Sequence, residues 1–207
     1  MKNSNGIFVA YKGNEVDYDT ILNDLNDRCP SGFVVKPMRT DALLFAKLVP
    51  ETEREHGDPY WNRINEVLTV NSFVHQEIDN IDRFAFPYKH DGSELNHTVT
   101  NWGYYTYKEK VFLKLGEFLH FCSVIWDRKT DTIVAGVTTP VDSYTHLYYG
   151  ETPDNKELIF SNNFNLLLNY CSDIRELESN SFMLNGEVFD LEGKPISVRT
   201  DDDTPKR

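Results

Sequence analysis

The chain has 207 residues, 40% of them hydrophobic and 26% charged, and its 33 acidic against 21 basic side chains give a formal net charge of −12. These proportions are ordinary for a globular protein and support a real core in one large domain. The negative balance argues against direct nucleic-acid binding, which needs cations for the phosphates, and suits high solubility or a basic protein partner.

Cys29, Cys122 and Cys171 are odd in number, far apart and without a Cys-x-x-Cys pair. That is the pattern of reduced thiols, not of a disulfide framework. No stretch reads as a membrane span or a secretory leader, so the expectation is a soluble, cytoplasmic protein with no membrane partner. The abundance of Asn and Tyr with little Ala resembles the composition of proteins from AT-rich phage genes, hence an expected viral source.

In chain order, Ile7–Tyr11 reads as a strand. Asp17 or Asp19 then caps a helix with Ile21, Leu22 and Leu25 on one face, ended by Cys29-Pro30-Ser31-Gly32. Phe33–Val35 reads as a second strand, stopped by Pro37, and Thr40 or Asp41 caps a helix over Ala42–Val49 that Pro50 terminates. Glu51–Pro59 is charged and turn-like. From Tyr60 to about Phe84 the apolar residues Trp61, Ile64, Val67, Leu68, Val74, Ile78 and Ile81 recur at three- and four-residue steps, which predicts the longest helix.

Lys89–Thr100 is polar and reads as a surface loop or a crossing between two halves. Trp102–Tyr107 reads as a strand. Lys108–Leu115 satisfies both helical and strand patterns, and helix is preferred. The next stretch organises the chain: apolar runs at Phe118–Trp126 and Thr132–Thr138 flank five polar residues, as in a β-hairpin. The first run is apolar at nearly every position and is expected to be central in a sheet; Gly136 in the second suggests a bulge or a close backbone approach.

Ser143–Tyr149 reads as a strand with Tyr144, His146 and Tyr148 on one face and Thr145, Leu147 and Tyr149 on the other. After a turn-rich loop at Gly150–Lys156, Asn162 or Asn163 caps a helix to about Leu177, with Phe164, Leu167, Leu168, Cys171 and Ile174 on its inner face. Phe182–Leu184 and Glu187–Phe189 flank Asn185-Gly186, which supplies the positive φ of a type I′ hairpin turn. The expected fold is a single α+β domain over residues 1–200, a mixed or antiparallel sheet with helices packed against it. A sub-boundary is expected within 88–100, and a frayed charged tail at 201–207.

No phosphate-binding glycine loop occurs. Phe33–Ala42 faintly resembles the opening strand and helix of GNAT-type acetyltransferases, and the early strand–helix–strand order resembles two-histidine phosphoesterases. The acyl-CoA loop of the first family and the His-x-Ser/Thr motifs of the second have no counterpart, so neither is assigned. His56-Gly-Asp58 and His90-Asp91 are the close His/carboxylate pairs, with no His-Glu-x-x-His, and neither metal nor cofactor is expected. Cys122 shares a strand face with His120, but its apolar neighbours favour an inert thiol.

Two constellations stand out. Tyr144, His146 and Tyr148, joined by Trp102 and Tyr104, form a candidate ligand-binding face, weighed against tyrosines that merely straddle core and surface. Glu51, Glu53, Glu55 and Asp58, with the acidic residues 15–27, form a candidate face for a basic partner, weighed against ordinary solvation. The first functional expectation is therefore a non-catalytic interaction protein: an inhibitor, adaptor or assembly component. The alternative is an enzyme or small-ligand binder built on the Tyr144/His146/Tyr148 face, with His120 and the loop at His90 as further suspects.

Overall fold

The computed structural model describes residues 3–4, 6–54, 59–62, 66–75, 119–190 and 193–196. The hairpin at the middle of the sequence is the middle of a sheet. Strand β7 (Leu119–Asp127) pairs with β8 (Thr132–Val137) from Cys122↔Val137 to Asp127↔Thr132. On its other side β7 pairs along its whole length with β6 (Val67–His75). Strands β1 (Asn3–Ser4) and β5 (Tyr60–Asn62) both pair with β6, and β12 (Ser181–Leu184) and β13 (Glu187–Asp190) extend the far side in the order β1-β6-β7-β8-β12-β13. The ladder runs regularly through Gly136, which lies opposite Ser123 and Phe182 with no bulge.

The second sheet is built from β2 (Phe8–Lys12), β3 (Phe33–Thr40), β4 (Leu43–Pro50), β9 (Tyr148–Glu151), β10 (Leu158–Ser161) and β11 (Ile174–Glu176), in the order β11-β9-β10-β2-β4-β3. Every strand pair described in both sheets is antiparallel.

The two sheets face one another across the main core, where Phe8, Ala10, Leu43, Phe45 and Phe160 meet Leu68, Val70, Cys122, Val124, Ala135 and Met183. Alternate residues of the second sheet point the other way. There Val9, Tyr11, Leu44, Ala46, Leu48 and Ile159 bury Ile21 and Leu25 of helix α1 (Tyr18–Asp27) and Leu166 and Leu167 of the one-turn helix α2 (Phe164–Leu167). Asp17 caps α1, its Oδ1 accepting from the Asp19 N–H at 3.1 Å. Tyr170 Oη and Asn169 Nδ2 donate to Asp24, tying α2 to α1.

The expected α+β class is therefore corrected to a mostly β sandwich with two small helices on one outer face. The error arose at three places. Residues 43–50 form β4, not a helix, because both faces of this central strand are buried and strand alternation disappears from the sequence. Residues 67–75 form β6 for the same reason, Val67 and Thr69 lying on one face and Leu68 and Val70 on the other, all buried, and residues 60–62 pair with it as β5. Helix α2 stops after one turn, and the chain continues into β11. Pro37 does not end β3, which is an edge strand where a missing N–H costs no ladder bond. The expectations for 76–84, 88–100, 102–107, 108–115 and 201–207 lie outside the described residues.

Candidate functional site

The expected strand over 143–149 begins only at Tyr148, because the preceding residues fold into a turn. Thr145 Oγ1 accepts from the Val141 and Asp142 N–H groups at 3.0 and 3.2 Å, and Asp142 Oδ1 accepts from the Tyr144 N–H at 2.9 Å. This turn is fastened to the start of α2 by Asn162. Its Nδ2 donates to Tyr144 O at 3.1 Å and to Gly6 O at 2.9 Å, while its Oδ1 accepts from the Phe8 N–H at 2.8 Å. Asn163 then caps α2, accepting from the Leu166 N–H at 3.1 Å.

The large apolar side chains left exposed among the described residues lie on the two segments so joined. Val141 and Tyr144 come from the turn, and Phe164 (42% exposed) and Leu168 (55% exposed) from the helix. The Tyr148 ring meets Phe164 edge-on, with centroids 5.7 Å apart. His146 lies nearly parallel to Tyr148, at 6.1 Å and 10°. His146 Nδ1 contacts Glu176 Oε1 at 2.5 Å, and Glu176 is the direct cross-strand neighbour of Tyr148. Burial, then the charge of Glu176, raises the Tyr148 hydroxyl above its usual pKa, so the phenol stays neutral at physiological pH.

The segments that carry these side chains are acidic. Asp142, Glu176 and Glu178 belong to the same segments, while residues 130–155 contain no Lys or Arg and 157–174 contain none. The nearest cation in sequence, Arg175, is spent on Asp173 through bonds of 2.6 and 2.9 Å.

Of the residues expected in a ligand-binding face, His146 and Tyr148 are stacked, and Tyr144 lies in the adjoining turn rather than on their strand. Trp102, Tyr104 and His90 lie outside the described residues. Of the expected acidic face, Glu51 is exposed on a 3-10 turn over Glu51–Glu53, while Glu55 and Asp58 lie outside the described residues. Phe164, Leu168 and Glu176 were missed. A long amphipathic helix would have buried Phe164 and Leu168, but the single turn buries Leu166 and Leu167 instead.

Nucleophile chemistry finds no footing at Cys122. Its thiol is fully buried, donates to Tyr144 O at 3.4 Å, and is pushed far up in pKa by burial against a smaller opposing effect of Lys47. His120 Nδ1 contacts Thr139 O at 2.8 Å. Among the described residues no group of three His, Cys, Asp or Glu side chains is placed to hold a metal ion, and no helix is long and apolar enough to cross a membrane. An open hollow of about 260 Å³ between Asn14, Asp17, Tyr18, Asp19, Arg39 and Asp41 is shallow, and Arg39 already pairs with Asp19 at 2.8 Å. Compared with known protein-family models and with curated proteins, the chain matches none of them.

Proposed function

We propose that this is a non-catalytic interaction protein, an inhibitor, adaptor or assembly component, that engages a basic protein partner through the surface made by Tyr144, His146, Tyr148, Phe164 and Leu168. The observation that carries this reading is that two segments tied together by Asn162, and joined by the Tyr148–Phe164 ring contact, both carry exposed apolar side chains, and that their neighbouring cations in sequence are paired. Clustered apolar side chains on an otherwise charged surface are a feature of association sites, whereas scattered ones mean nothing. Aromatic anchors with a carboxylate rim supply affinity at the centre and steering at the edge. The three free thiols support placing this activity in the reducing cytoplasm.

The test is a photo-crosslinkable phenylalanine analogue placed at Leu168 and, as a control, at Glu187 on the opposite sheet. A discrete adduct should form from the first position only. Phe164→Ser combined with Leu168→Ser should weaken binding of the partner so captured by at least about tenfold, in line with losing two anchors. Equal capture from both positions, or undiminished binding by the double variant, overturns the reading.

One observation favours the enzyme alternative. A carboxylate on Nδ1 fixes the imidazole tautomer and leaves Nε2 as the acceptor, which is how a general base is held. This reading requires His146→Ala to abolish a turnover while leaving the fold intact.

A further inference from the structure

Independently of that partner surface, we infer that Pro37 guards the edge of the second sheet against self-association, the strand it excludes being β3 of a second copy of this chain. Strand β3 ends its sheet and runs for 8 residues. The other edge strands among the described residues are short: β1 has 2 residues, β5 and β11 have 3 each, and β13 has 4. Strand β13 is further bridged through Phe189 and Pro195, and the Ile196 N–H donates to Val188 O at 2.8 Å.

Two prolines fix which backbone groups of β3 point outward. Residues along an antiparallel pair alternate between those that exchange both backbone bonds and those that exchange none. Phe33 lies opposite Pro50 and Pro37 opposite Ala46, and a proline has no N–H to exchange. Phe33, Val35, Pro37 and Arg39 therefore turn their backbone groups away from β4. The β4 side agrees, because the N–H of Leu48, opposite Val35, donates to Ile7 O at 2.8 Å. All four residues present a carbonyl to the outside. The Phe33 N–H, however, is folded back onto Pro30 O at 3.1 Å, and Pro37 has none, so Val35 and Arg39 supply the donors.

An identical strand is the natural threat to such an edge, because a two-fold axis that pairs a strand with itself closes the contact at two copies. In any antiparallel register that overlaps the strands, Pro37 stands opposite an outward carbonyl of the other copy and offers it no donor. The symmetry repeats the loss, and a carbonyl buried unpaired costs more than the missing bond alone. Proline on an exposed edge blunts strand addition in this way. Toward β4 the ring costs nothing, since the missing N–H lies on the outer side. Residue 37 is thus a position where proline is free within the fold and costly only between copies.

Hydrogen exchange on the full chain tests the outward set. The Val35 and Arg39 amides should exchange at least about tenfold faster than those of Lys36 and Met38, which bond to β4. Equal protection at all four overturns the assignment. Sedimentation then compares the parent with Pro37→Val, in which each copy regains a donor to the other, so self-association should tighten at least about tenfold. Should the valine variant not fold, Pro37→Ala restores the same donor and is read the same way. Adding Val35→Pro moves the gap two residues along the same outward row and should return association to the parent's level. A single variant that sediments as the parent does at every concentration overturns the guard. So does a double variant that associates as strongly as the single one, since the change then lies outside this edge.

Discussion

Single residues set the geometry of this fold where the backbone leaves ordinary conformational space. Asn185 (φ 48°) and Gly186 (φ 93°) form the two-residue turn between β12 and β13, and Asn185 also binds β8 through its Oδ1, which accepts from the Ile133 N–H at 3.2 Å. A Cβ at Gly186 would meet only Leu158 at 3.8 Å, an ordinary contact, so the cost of a side chain there is purely conformational. Gly186→Val should therefore lower stability by about 1–2 kcal/mol, the penalty of forcing a side chain into the left-handed region. A denaturation midpoint equal to that of the parent would show that the turn carries no such constraint. Lys47 is the other telling residue. It stands on the inner face of β4 with 1% exposure, and its Nζ donates to Asn71 O of β6 at 2.5 Å, a polar bond between the two sheets through an apolar core.

At the scale of elements, two loops are locked by a reciprocal exchange of carboxylates. Glu157, at the end of the β9–β10 connection, accepts from the Asn14 and Glu15 N–H groups and from the Tyr11 hydroxyl. Glu15 reaches the other way and accepts from the Asp154 and Asn155 N–H groups at 3.0 Å each. A Cβ at Gly13 would sit 2.1 Å from Glu157 Oε2, so a side chain there would have to displace this carboxylate. Both carboxyls lie below their usual value of 4.5. For Glu15 the causes are Thr152 and the backbone N–H groups. For Glu157 burial pushes upward, but Tyr11 and the N–H donors outweigh it. A carboxyl whose pKa is depressed by folding adds stability above its unfolded value and loses it as pH falls through the folded one. The thermal midpoint of the parent should thus exceed that of the Glu15→Gln, Glu157→Gln double variant above pH 4.5, and the gap should close below it. A gap that persists unchanged at pH 2.5 would place the effect outside these carboxyls.

Elements also show where the sequence was readable. Both hairpins with strong turn chemistry, β7–β8 and β12–β13, were legible, as were β2 and the Asp17 cap of α1. Strands β4 and β6 were not, because a strand covered on both sides shows an unbroken apolar run that a helical stripe can also fit. In β6 the usable signal was composition: Val67, Thr69, Val70 and Val74 are β-branched, and summed over nine residues that preference outweighs the three- and four-residue spacing. The candidate surface was legible only in part. The pairing of His146 with Tyr148 follows from their proximity in sequence, but Glu176 reaches them through the β9–β11 ladder, a contact 28 residues from Tyr148 that no local pattern encodes.

For the whole molecule, the sandwich arrangement turns the three cysteines into reporters of different depths. Cys122 lies between the sheets with no exposure, Cys171 packs half-buried beside the outer core with its thiol pushed up to about 11 by burial, and Cys29 sits past the end of α1. A thiol reacts as its thiolate and only when reached, so burial slows it both by raising its pKa and by blocking access. Native protein treated with an aromatic disulfide reagent at pH 8 should be modified first at Cys29, more slowly at Cys171 and last at Cys122. Because Cys122 is contacted by both sheets, it becomes reactive only when they separate, so its rate should rise with denaturant along the slope of global unfolding. Cys29 should show almost no denaturant dependence. Rapid native labelling of Cys122 would mean that the sheets part without unfolding, opening a cleft onto Lys47 and the Tyr144 turn, and would return the choice of function to chemistry inside the sandwich rather than association on its surface.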